Sequence, residues 1–188
     1  MTAVPEPLAL YEAKAIAELG DANALAGVAE GGWSGDPLGA VVLVVSGAAT
    51  GRAGDDLLPA DLGEAVGKAL AALGFEEGST FVIASRPGEA GPDALADRLR
   101  LALEAVDAPL VLALDPLAAD DLAAAFCLPG LEPGKPTRAA GRVIGNTGDF
   151  AASLADAHAK GQVWAAMRSV AAAAGHRTQT KRPTGASQ

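Results

Sequence analysis

The chain has 188 residues, half of them hydrophobic and only 4% aromatic, with one cysteine and two histidines. That length suits one domain whose apolar core needs no disulfides, and so few thiols and imidazoles exclude a four-ligand Cys/His zinc site or a cysteine-ligated cluster built by a single chain. The formal charge is −9, and all 23 acids precede Arg168, so residues 1–167 repel a polyanion on average while the remainder carries Arg168, Arg177, Lys181 and Arg182 with no acid.

Leu8, Tyr11, Ala15 and Leu19 recur at helical spacing and predict a first helix that stops at Gly20, followed by a second, short one from Asp21 to Glu30. After a loop rich in glycine, Ala40–Val45 is a continuous apolar run of the kind expected for a strand buried on both faces. A glycine-rich acidic loop over 46–59 leads to a helix capped by Asp61 and ended by Gly74. The alternation then repeats: strand 80–84, a helix opened by Pro92 and Asp93, strand 110–114, helix 117–126, a loop over 128–141, and strand 142–145. Two helical stretches follow, over 149–156 and 158–174. In the last of these Val163, Trp164, Met167 and Val170 form the core face.

Strands joined by crossover helices run parallel with right-handed connections, so the expectation is an α/β protein. Specifically, it is a three-layer α/β/α sandwich around a central, mostly parallel four-stranded sheet over residues 38–174. Residues 1–37 form a helical prelude, and residues 175–188 a basic tail without apolar periodicity, read as disordered. No apolar run approaches the 18 residues of a membrane span, and a cytoplasmic protein with no membrane association is the expectation.

Ligands on such sheets sit beyond the carboxyl ends of the strands, which directs attention to 46–56, 85–91, 115–116 and 146–150. Gly47, Ala48, Thr50 and Gly51 form a loop whose glycines allow backbone N–H groups to approach an anion or base. Asp55, next to Asp56, and Asp149 are the candidate catalytic carboxylates; Asp149 is equally a helix N-cap. Asn146 offers hydrogen bonds to a base or sugar, and Arg86 together with Lys135, Arg138 and Arg142 suggests an anion cleft. Asp120 and Asp121 are read as first-turn helix acids, Cys127 as a small buried hydrophobe, and His158 and His176 as surface residues. No cofactor or metal is expected.

The order of elements and the segments Gly47-Ala48-Ala49-Thr50-Gly51, Asp61–Gly74, Arg86-Pro87…Pro92 and Lys160…Trp164 resemble the uracil-DNA glycosylase superfamily, most closely its family 4 branch, over residues 38–170. The resemblance implies an α/β/α fold and a site for a nucleobase in DNA. It also implies losses. Ala48 stands where the family carries its water-activating glutamate, and Asp149-Phe150 where it carries His-Pro-Ser. Ala84-Ser85 replaces the uracil-reading asparagine, no aromatic between 56 and 63 stacks on the base, and the four cluster cysteines are missing, leaving only Cys127. An acid in place of the histidine opposes the negative charge that develops on departing uracil. The expected function is therefore that of a divergent relative inactive on uracil, with DNA or a nucleotide as its partner. The alternatives are an active glycosylase or hydrolase using Asp55 or Asp149, and a module that binds a protein partner.

Overall fold

The computed structural model describes residues 6–29, 31–47 and 57–175. In chain order the elements are α1 (Pro7–Leu25), β1 (Trp33–Gly35), β2 (Val41–Val45), α2 (Ala60–Ala72), β3 (Thr80–Ala84), α3 (Pro92–Val106), β4 (Leu110–Ala113), α4 (Pro116–Ala125), β5 (Thr137–Ala139), β6 (Arg142–Asn146), α5 (Phe150–Ser153) and α6 (Ala157–Ala173). They form an α/β fold around one six-stranded mixed sheet of order β1-β3-β2-β4-β6-β5.

The four expected strands are the parallel centre, β3-β2-β4-β6. The four-stranded sheet of the sequence reading is corrected by β1 and β5, which pair antiparallel on the two edges. Each is three residues long, too short for hydrophobic periodicity to register, and each exists through its partner: Trp33 lies opposite Ile83, and Arg138 opposite Val143.

Strand alternation divides the core in two. Val42, Val44, Ile83, Val111 and Ile144 point toward α1, α3 and α4, where they meet Leu19, Leu99, Leu103 and Leu122. Val41, Leu43, Val82, Leu112 and Val143 point the other way, toward α2 and α6, and meet Val66, Leu70, Met167 and Val170. Both faces are covered, which is why the central strands read as unbroken apolar runs.

Several local expectations change. The two short N-terminal helices are one: α1 runs through Gly20, because Ala15, Leu19, Ala22 and Asn23 line one face that packs on α3, outweighing the cost of about 1 kcal/mol for an interior glycine. Helix α2 starts at Ala60 with Pro59 at the N-cap, so Asp61 lies in the first turn and makes no cap bond. Helix α4 starts at Pro116 and not Leu117, capped by Asp115, which moves Asp120 and Asp121 out of the first turn. Cys127, expected in the interior, is exposed, with a left-handed φ of 52° that ends α4.

Candidate ligand-binding edge

In the order β3-β2-β4-β6 the chain leaves β2 to form β3 on one side and then returns to form β4 on the other. The carboxyl ends of β2 and β4 therefore flank a topological switch, where open α/β sheets place ligands. Asp115 stands there, two residues beyond the end of β4. One carboxylate oxygen accepts from the Ala118 N–H at 2.9 Å, capping α4, and the other accepts from the Ser46 N–H at 2.8 Å, tying down the loop that leaves β2. Asp115 is half-buried, and each of its oxygens, having accepted one N–H, has capacity for a second hydrogen bond.

The neighbouring strand ends are held by similar bonds. The Thr147 hydroxyl donates to Ala113 O at 2.9 Å, and the Phe150 N–H donates to Leu114 O at 2.9 Å. On the β3 side, Asp121 Oδ2 accepts from the Ser85 hydroxyl at 2.6 Å. Its carboxylate also takes both Nε and Nη2 of Arg86, at 2.8 and 2.7 Å. The hydrogen bonds and charge of Asp121 hold the Arg86 guanidinium above its ordinary pKa.

Beneath this corner lies Arg98, 1% exposed. It donates from Nε to Asn23 Oδ1 at 2.6 Å and from Nη1 to Ala84 O at 2.8 Å, while the buried Nη2 has no hydrogen-bond partner. Desolvation pushes its pKa down to about 10. Gly32, at φ +81°, passes so close that a Cβ there would lie 3.0 Å from Nη2 and 2.7 Å from Pro87, so this crossing requires glycine.

The residues singled out from the sequence are not gathered into one patch. Gly47 is the second residue after β2; Ala48, Thr50, Gly51, Asp55 and Asp56 lie outside the described residues, as do His176 and the tail from 176 onward. Asp149 is exposed and caps α5, accepting from the Ala152 N–H at 2.9 Å. Asn146 is buried, with its amide donating to Leu131 O at 2.8 Å and its oxygen accepting from the Gly148 N–H at 2.7 Å, so it holds loops together.

The basic residues are dispersed. Lys135 lies near the carboxyl edge and pairs with Glu132. Arg138 donates to Ala173 O at 2.7 Å at the end of α6. Arg142 begins β6, at the opposite, amino edge of the sheet, and is buried with its guanidinium bonded to Leu103 O and Asp107. His158 is exposed in the first turn of α6.

Asp115, Ser46 and Ser85 lie in the segments that the sequence marks beyond the strand ends, but the sequence reading does not single them out within those segments. Their signal was faint: Asp115-Pro116 after an apolar run is an N-cap followed by proline at the first helical position, but its bond to Ser46 spans 69 residues.

Among the described residues no group of three or more His, Cys, Asp or Glu side chains could hold a metal ion. The single cysteine, exposed at the end of α4, does not supply the donor set of a cysteine-ligated cluster. No helix among them is long and apolar enough to cross a membrane. The chain matches no protein-family model and no curated protein.

Proposed function

We propose that this chain is a divergent uracil-DNA glycosylase-like protein of three-layer α/β/α type, inactive in uracil excision, that binds a nucleobase or nucleotide at the carboxyl edge between β2 and β4. The observation that carries the reading is Asp115, a half-buried carboxylate at the switch point with one oxygen fixed by Ser46 and the other by α4. Carboxylate lone pairs accept ring N–H, exocyclic amino or sugar hydroxyl groups.

The charge pattern favours the base and sugar over the phosphodiester backbone. Around this edge Arg86 is already neutralised by Asp121 and Lys135 by Glu132, while Asp115 and Asp149 add negative charge. A long polyanion therefore finds no unpaired cation on these side chains, and DNA as the partner is the less supported form of the reading. Loss of excision is supported by Ala48, which stands where the resemblance places a catalytic acid, and by Asp149, an acid where it places a histidine.

The test is titration of the purified chain with free nucleosides and nucleotides by calorimetry. In parallel, labelled single- and double-stranded oligonucleotides carrying uracil, hypoxanthine or an abasic site are followed by anisotropy and by strand cleavage after alkali. The expected result is saturable nucleoside or nucleotide binding, weakened at least tenfold in Asp115→Ala, with no cleavage. Cleavage lost in Asp149→Asn would establish the active-enzyme alternative instead, and absence of binding to every probe would overturn the reading.

A further inference from the structure

A groove runs along α2 on the side that overlooks β3. It has two lobes, of about 260 Å³ and about 440 Å³, which share Gly63, Glu64, Gly67, Leu70 and Thr80. Val82 and Leu70 give it an apolar floor, and Gly63 and Gly67 make one wall a bare ledge: a Cβ built on Gly67 meets nothing within 4 Å. At its amino-edge end stand Glu76 and Glu77, exposed and without an ion pair among the described residues, whereas Glu64 on the rim is already paired with Lys68. The cleft thus has an apolar floor and is negatively charged at one end.

We propose that this groove is the docking site, in cis, of the basic segment 176–188 of the same chain. The groove is independent of the ligand edge, and the proposal does not depend on the function assigned there. Three observations select this occupant. First, charge: the segment holds Arg177, Lys181 and Arg182 with no acid, in a chain whose other parts are strongly acidic.

Second, reach: α6 ends at Ala173 on the amino edge, and Ala173 and Ala174 pack against the same core cluster that contains Leu73 and Phe75, the residues leading into the acidic turn. Thirteen residues extend about 40 Å, several times the width of about 10 Å that separates one side of a helix from the other. Third, shape: apart from its bases and His176, the segment is made of Gly, Ala, Ser, Thr, Gln and Pro, small or slender side chains that fit a glycine ledge.

The docked segment covers apolar surface that α2 leaves open and brings cations to Glu76 and Glu77. Such a contact is electrostatic and partly exposed, so salt weakens it.

The experiment places a nitroxide on the full chain through Ser187→Cys in a Cys127→Ser background and reads paramagnetic broadening of backbone amides by NMR. The expected result is selective loss of the Gly67 and Gly78 amide signals at about 0.01 M ionic strength, and recovery at about 1 M, where the Debye length has fallen from about 30 Å to about 3 Å. Recovery is also expected at low salt in Glu76→Gln/Glu77→Gln, which removes the charge, and in Gly67→Leu, which fills the ledge with the backbone otherwise unperturbed. Absence of selective broadening, or broadening indifferent to all three changes, overturns the proposal. So does broadening of an isotope-labelled chain by a separate spin-labelled one, which would assign the groove to a second copy.

Discussion

Arg98 concentrates the tension between burial and charge in this molecule. Its guanidinium is removed from water, has two acceptors and no ion pair among the described residues, and leaves Nη2 without a partner. Desolvation disfavours its charged form. Yet Asn23 Oδ1 and Ala84 O both depend on it, and an orphaned buried acceptor costs about 1–3 kcal/mol. Arg98→Ala is therefore expected to destabilise the fold by about 2–5 kcal/mol, read as the shift in a urea midpoint; a change below the error of that measurement would show that Asn23 and Ala84 find other donors. The two capping aspartates make a second contrast. Asp149→Ala removes one exposed cap and is expected to cost about 1 kcal/mol. Asp115→Ala removes a cap and the tether to Ser46 together and costs about 1–3 kcal/mol; equal losses in parallel denaturation curves would mean that the Ser46 bond contributes nothing to stability.

At the scale of elements, the glycines separate two kinds of site. Gly20 sits within α1 with open space where a Cβ would go, so Gly20→Ala is expected to stabilise by about 0.5–1 kcal/mol through helix propensity and the reduced entropy of the unfolded chain. Gly145 is the opposite case. It lies on β6 beneath α6, and a Cβ there would collide with Val170, so Gly145→Ala is expected to destabilise by about 1–3 kcal/mol through overpacking. Thermal melts of the two variants should move in opposite directions; a rise for Gly145→Ala would mean that α6 can lift without loss. The helices and the four central strands were legible because their apolar periods are long: Leu62, Val66 and Leu70 mark the α2 face, and Val41 to Val45 marks β2. The edge strands β1 and β5 were not, since three residues carry no period and their pairing is set by distant partners.

Over the whole molecule, net charge works against compactness. With a formal −9 and the acids concentrated before Arg168, the folded body repels itself at low ionic strength. Raising salt from about 0.01 M to about 0.15 M shortens the Debye length from about 30 Å to about 8 Å, and the melting temperature is expected to rise over that range by calorimetry. A fall would mean that attractive pairs such as Arg86–Asp121 outweigh the net repulsion. The same acidity bears on the candidate edge, whose cations are already engaged, and it leaves the base and sugar of a nucleotide as the better match.

The amino-acid sequence by itself determined the α/β class, the four parallel strands and the helices between them, because burial on one or two faces writes a period into neighbouring residues. It also pointed to the carboxyl edge as the place to look. Tertiary structure alone decided which polar residues are gathered there and which are tied to remote parts of the fold. Arg142 and Asn146 read as site residues in one dimension, but their partners lie at Leu103 and Leu131, whereas the cap that engages Asp149 is local, at Ala152, and was legible in the sequence. Asp115 gained its place through Ser46, 69 residues away. Hydrogen bonds between distant segments leave no local pattern, so only the folded chain reveals which polar groups remote segments engage and bring to the carboxyl edge.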